Sequence, residues 1–278
     1  MAELRRKTAA RIQEICSGVE GVFGVVVEDL TGEERFAVNA SLEFPQASAI
    51  KVPVLMELYK QAHEGRLDLS ESVAVKADDQ VPGGILTHAG DGTTSMSLAD
   101  LGVYMIVLSD NTATNLLINK VGMANINATL DNLGLPKTRV QRLMIDTEAS
   151  ARGQENLSTP AEAARLLRML HEGEFVDRAV SDQVLEVMRK THGGAVKSAL
   201  PEGVRVAFKP GEIPGVETEW AIVELKHRPY VVAAMGKYGV GNGFYKAMQD
   251  ISKAAYSYFD RLGRSSPYGA YTDSEDWD

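Results

Sequence analysis

A chain of 278 residues that is 44% hydrophobic and 24% charged has an ordinary globular composition and enough length for one large domain or two lobes. Its formal net charge of -9, with no block of basic residues, argues against nucleic acid as a partner. The single cysteine, Cys16, excludes an internal disulfide and a cysteine-based metal site, and no apolar run reaches the ~20 residues that a membrane helix needs.

Residues 3–18 place Leu4, Ala9, Ile12 and Ile15 on one face and predict an amphipathic helix, without the apolar stretch of a signal peptide. "VFGVVVEDLTGEERFAVN" predicts two strands joined at Thr31-Gly32. "PQASAIKVPVLMELYKQAHEG" predicts a helix that begins near Ser48, tolerates Pro53 near its first turn and stops at Gly65. Residues 67–91 are irregular, with a loop at Pro82-Gly83-Gly84. Ser97 and Asp100 have capping-box spacing ahead of the apolar helix "LGVYMIVL". Further helices are predicted over 112–121, 124–133, 160–171 and 181–190. The last third turns to strands, "VRVAFK", "EWAIVEL" and "YVVAAMGKY", and closes with the helix "FYKAMQDISKAAYSYFDRL". "GVGNG" at 239–243 lacks the parallel βαβ context of a nucleotide fingerprint and reads as a turn.

Strands at both ends with helices between them predict an α+β fold. One antiparallel sheet, built from both chain ends and flanked by the terminal helices, would accompany an all-helical lobe, with a cleft between the two. The expected boundaries are 1–45 and 197–264 for the α/β lobe and 46–196 for the helical lobe. The polar, acidic stretch 265–278 is predicted to be a disordered tail.

Ser48 and Lys51, three residues apart, share a helical face. A serine hydroxyl is a poor nucleophile at neutral pH and needs a base beside it. A lysine desolvated among Val52, Leu55 and Met56 would have a depressed pKa and supply that base. A lone S-x-x-K also occurs by chance on surface helices, so it is a weak signal by itself. Ser109-Asp110-Asn111 follows the apolar helix directly, and Lys209-Pro210-Gly211 lies on a late strand. Taken singly, Ser109 reads equally as an N-cap, Asp110 as local backbone support, Asn111 as a turn residue and Lys209 as a solvated strand charge. The five histidines show no metal-binding spacing, and no G-x-S-x-G elbow is present.

In combination and in this order, the three motifs resemble the S-x-x-K, S-D-N, K-T-G set of class A β-lactamases and penicillin-binding proteins. "SDNTATNLLI", "ENLSTPAEAARLL" and "KPGEIPG" extend the resemblance, which covers residues 20–263. It implies a β-lactamase/transpeptidase-like fold and an acyl-enzyme mechanism on an amide such as a β-lactam. In that mechanism Ser48 attacks the carbonyl and Lys51 takes or relays its proton. Ser109 passes a proton to the leaving nitrogen with help from Lys209, and Asn111 orients the substrate amide. The backbone N–H groups of Ser48 and Glu212 would form the oxyanion hole, with Gly211 leaving the strand edge open. The resemblance further implies a monomer with a small-molecule substrate, no cofactor or metal, and a periplasmic or secreted location.

Two departures stand out. Pro210 replaces the Thr or Ser whose hydroxyl helps to hold a substrate carboxylate. The loop "RLMIDTEASARGQENLSTP" is short and lacks the Glu followed four residues later by Asn that holds the hydrolytic water. Glu148 is its best positional candidate for the deacylating carboxylate, and Glu155-Asn156 the next. Two alternatives follow: a D,D-peptidase or penicillin-binding protein with slow deacylation, or a catalytically weakened binding protein.

Overall fold

The computed structural model describes residues 2–265, and the predicted acidic tail, apart from Ser265, lies outside the described residues. In chain order the first elements are α1 (Ala2–Ser17), β1 (Val22–Asp29), β2 (Arg35–Val38), β3 (Phe44–Pro45), a 3-10 turn (Ala47–Ile50) and α2 (Lys51–His63). Then come β4 (Ser72–Val75), β5 (Thr94–Ser97), α3 (Leu98–Val107), α4 (Asn111–Val121), α5 (Met123–Asn132), α6 (Thr147–Ala151) and β6 (Leu157–Ser158). The chain closes with α7 (Pro160–Glu172), α8 (Arg178–Arg189), α9 (Ala195–Ser198), β7 (Arg205–Ile213), β8 (Val216–Glu224), β9 (Tyr230–Lys237) and α10 (Gly243–Gly263). These elements form two compact units.

One unit takes in the described parts of Met1–Phe44, Thr159–Arg168 and Gly193–Asp278. Its five-stranded sheet has the order β2-β1-β9-β8-β7, antiparallel throughout, so strands from both chain ends interleave and β7 is an edge. Period-2 alternation puts Phe23, Val25 and Val27 of β1 and Val206 and Phe208 of β7 on one face. There they bury against Ile12, Ile15 and Cys16 of α1 and Phe244, Met248, Ile251 and Phe259 of α10. At about 25 cal/mol per Å² of apolar surface removed from water, this layer is the main source of the unit's stability. On the sheet's other face Val26, Ala207, Lys209, Trp220, Ile222 and Ala233 are buried as well. The helical run "PAEAARLLRMLHE" contributes its first nine residues, Pro160–Arg168, to this unit, where Arg168 pairs with Glu28.

The other unit comprises Pro45–Ser158 and Met169–His192. Its centre is α2, whose residues 51–59 are all buried and which packs against α3, α4, α5 and α8. Burial on every side fits the run of successive apolar residues from Val52 to Met56. Ser97 caps α3 as its spacing predicts: Oγ accepts from the Asp100 N–H at 3.0 Å and donates to the Asp100 carboxylate at 2.7 Å. The irregular stretch after Gly65 contains a strand that the sequence pattern did not reveal, since β4 pairs antiparallel with β5. Strand β7 is also longer than "VRVAFK", continuing through Lys209-Pro210-Gly211 to Ile213. A proline there is compatible with a ladder because the strand is an edge.

Candidate active site

The helix expected from Ser48 onward begins instead with a 3-10 turn. Ala47–Ile50 is tightly wound, and the Lys51 N–H bonds back to the Ser48 carbonyl before α2 proper begins. In a 3-10 turn residues i and i+3 eclipse, which brings the Ser48 and Lys51 side chains to the same side. Ser48 is half-buried, whereas Lys51 has 0% exposure. Ala47, immediately before Ser48, has a left-handed backbone with φ 44°, costly for a residue with a Cβ by about 1–3 kcal/mol.

The Lys51 amine is held by the start of α4. Its Nζ donates to the Ser109 carbonyl at 2.7 Å, to Asn111 Oδ1 at 2.8 Å and to Ser109 Oγ at 3.2 Å. Ser109 also has a left-handed backbone, φ 54°, which turns its carbonyl out of the line of α3 and into reach of the lysine. Asn111 Nδ2 donates to the Pro82 carbonyl at 2.8 Å. The lysine nitrogen donates to one end of the amide and the Pro82 carbonyl can only accept from the other, so these two partners fix which way the Asn111 amide faces.

Asp110 is the N-cap of α4, not Ser109. Its Oδ1 accepts from the Ala113 N–H at 2.9 Å, and its Oδ2 from the Leu86 N–H at 2.9 Å. The Pro82-Gly83-Gly84 loop lies so close to this cap that side chains do not fit. A Cβ on Gly84 would sit 2.2 Å from Asp110 Oδ2, and one on Gly83 2.5 Å from Asn111 Nδ2. The glycines therefore let backbone approach the S-D-N turn, and the Asn111 N–H donates to the Gly83 carbonyl at 2.8 Å.

The short loop is fastened from within the same unit. Asn115, one turn beyond Asn111 on α4, accepts from the Met144 N–H at 2.7 Å and donates to its carbonyl at 3.1 Å. Buried Asn156 accepts the N–H groups of Gln141 and Arg142. Glu155 is engaged by Arg142 at 2.9 Å and by the Ser150 hydroxyl. Glu148 is exposed in the first turn of α6. Met144 and Glu148 have the four-residue spacing of the missing pair, with an apolar side chain at its first position. The Asn115–Met144 clamp had no signal in the sequence beyond an asparagine four residues after Asn111.

Lys209, Gly211 and Glu212 belong to the sheet unit, on β7. Lys209 is not the solvated strand charge of the simplest reading: it is 1% exposed, and its Nζ donates to the Pro210 carbonyl at 2.9 Å. Burial pulls its pKa down to about 7, while the negative charge of Glu219 works in the opposite direction. Glu219 itself, buried on β8, is pushed up to about 7 by desolvation, against the pull of backbone N–H groups from Val196 and Ala195. At the end of the β7–β8 hairpin Glu212 stands directly opposite Glu217, whose carboxyl is raised to about 7 by burial and then by Glu212. Glu212 is exposed and Gly211 is buried. Among the described residues no cluster of histidine, cysteine and carboxylate side chains is arranged to hold a metal. No helix there is long and apolar enough to cross a membrane.

Comparison with known proteins agrees with this arrangement. Residues 7–259 match the Beta-lactamase enzyme family. A β-lactamase of Rhodobacter capsulatus is 30% identical over 207 residues, 71% of this chain, which spans 66% of that relative's length. The structure of a β-lactamase from Sphaerobacter thermophilus DSM 20745 is similar with a TM-score of 0.83 and 28% identity, covering 91% of this chain and 97% of that one. A variant of PBP-A in an acyl-enzyme complex with penicillin G is similar with a TM-score of 0.83 and 26% identity, covering 94% and 98%. The buried S-x-x-K and S-D-N cluster, the five-stranded antiparallel sheet and a match along nearly the whole length lead to one conclusion: the chain belongs to the β-lactamase enzyme family.

Proposed function

We propose that the protein is a serine hydrolase that opens an amide, a β-lactam among them, through an acyl-enzyme on Ser48. The observation that carries this reading is the Lys51 amine, buried one 3-10 turn from Ser48 and bonded to Ser109 and Asn111. In the acylation step Lys51 acts as the neutral amine: Ser48 Oγ bonds to the carbonyl carbon and its proton passes to Lys51 Nζ. The carbon–nitrogen bond then breaks, and the proton travels from Lys51 through the Ser109 hydroxyl to the leaving nitrogen. The bond from Lys51 Nζ to Ser109 Oγ, 3.2 Å, is the first link of that relay. Asn111, fixed in orientation, receives the substrate amide. On β7 the same reading makes Lys209 the cation for the substrate, Glu212 a backbone N–H donor to the oxyanion, and Gly211 the clearance for close approach.

The loop favours a second reading for the later step. Glu155 is committed to Arg142, and Met144 occupies the clamped position, which leaves Glu148 as the carboxylate for a hydrolytic water. With that group exposed, the acyl-enzyme forms and releases slowly, in the manner of a penicillin-binding protein. Intact-mass measurement after mixing with benzylpenicillin tests both parts. An adduct one penicillin heavier that decays over minutes or longer, absent from Ser48→Ala, is the expected result. An adduct that survives in Ser48→Ala would transfer the nucleophile to another residue, and rapid turnover with no adduct would reverse the reading of the loop.

A further inference from the structure

The mechanism just given makes no use of a cavity in the sheet unit, where the β8–β9 connection, residues 225–229, meets the C-terminal end of α10. The cavity has a volume of about 160 Å³, and Leu225, Tyr256 and Phe259 supply its apolar wall. Phe259 is fully buried and held by its neighbours. It stacks on Tyr230 with ring centroids 4.6 Å apart and meets Tyr258 edge-on at 5.2 Å. Gly263 admits the connection, since a Cβ on it would lie 3.3 Å from Arg228 Cβ and 3.5 Å from His227 Cβ. An apolar cavity of about 150 Å³ is large enough to take up benzene, so wall and volume together suit a single ring.

The rest of the lining is basic, in a chain whose net charge is -9. Lys226, Arg228 and Arg264 are set against one carboxylate, Asp260, which pairs with Arg264 at 3.0 Å. Arg228 is fixed from behind by Asp29, a buried residue of β1. One Asp29 oxygen accepts the N–H and the hydroxyl of Thr31, both at 2.9 Å. The other accepts from Arg228 Nε at 2.9 Å and lies 2.6 Å from a terminal nitrogen of the same guanidinium. A guanidinium has five N–H donors, so Asp29 orients Arg228 without exhausting it. Its planar fork matches a carboxylate, which can accept two N–H bonds side by side. We propose that this cavity is a binding site for a small carboxylate on a single aromatic ring, with the ring against Tyr256 and Phe259 and the charge on Arg228 and Lys226. The site shares no residue with the machinery assigned to acyl transfer.

The test is an NMR titration of the full chain with sodium benzoate at constant ionic strength. Saturable shifts confined to the backbone amides of 225–228 and 256–264 are expected. They should persist in Lys209→Met, which separates this site from the cation assigned to the substrate. Benzyl alcohol keeps the ring and loses the charge, and should bind about one to two decades more weakly, the usual worth of a hydrogen bond to a charged group. Acetate, which keeps the charge and loses the ring, should give no saturable shifts over the same range. Arg228→Lys leaves Asp29 a cation but removes the fork, and should weaken benzoate about tenfold while leaving benzyl alcohol unchanged. Lys226 is exposed, so Lys226→Gln gives a second, foldable test of the charge and should also weaken benzoate. Shifts that are scattered or fail to saturate overturn the proposal, as does their loss in folded Lys209→Met. Benzyl alcohol binding as tightly as benzoate, or both charge variants binding benzoate as the parent chain does, overturns it too.

Discussion

Two lysines are buried among the described residues, and they are held by different means. Lys51 is held by neutral oxygens, a carbonyl, a hydroxyl and an amide, supplied by a turn with left-handed Ser109 at its centre. Lys209 lies on a regular strand, where its Nζ donates to the Pro210 carbonyl. The first arrangement holds an amine with a left-handed turn; the second holds one on a regular antiparallel ladder.

Breaking the first arrangement should have the largest effect. Lys51→Met keeps the volume and removes the amine. Acyl transfer to Ser48 should slow by about 10²–10⁴-fold, the usual contribution of a positioned base, measured as the rate of adduct formation. A folded variant that acylates at the parental rate would dissociate the amine from the chemistry. Next comes the loop clamp. Met144→Glu places a carboxylate on the backbone that Asn115 holds, one α4 turn from Asn111. The adduct should then decay about 10²-fold faster, and an unchanged lifetime in folded protein would remove this loop from deacylation.

On the strand side the effect is smaller. Pro210→Thr returns a hydroxyl beside Lys209, and one hydrogen bond to a charged group is worth about 1.5–3 kcal/mol. Carboxylate-bearing β-lactams should acylate at roughly one to two decades lower concentration. Esters without a carboxylate should show no gain, and an equal gain for both would refute the account of Pro210. The smallest effect is a control within the helical unit. Ser97→Ala removes the α3 cap and should cost about 1 kcal/mol in urea unfolding while leaving acylation unchanged.

Much of this was readable in the sequence because its signals are local. The Thr31-Gly32 hairpin, the Ser97 cap, the helix stop at Gly65 and the three motifs all rest on a few adjacent residues. What escaped depends on distant partners. β4 and β5 are only four residues each, and only their pairing with each other makes them strands. Pro210 interrupts the pattern of β7, whose edge position explains its tolerance yet is a property of the whole sheet. Ser109 and Asp110 compete for the cap by composition, and the left-handed turn at Ser109 gives it to Asp110. Glu219 opens the predicted strand "EWAIVEL" without a local sign of burial, because its backbone partners, Ala195 and Val196, lie more than twenty positions earlier.

An edge strand offers a row of main-chain donors and acceptors, and a second polypeptide in extended form can bind to it as though the sheet continued. On β7 that row is broken at residue 210, where proline has no N–H to offer, and it ends at Glu212, whose charge is exposed. The same proline thereby leaves a gap in the row of donors along this margin of the sheet and makes it a poorer template for an added strand.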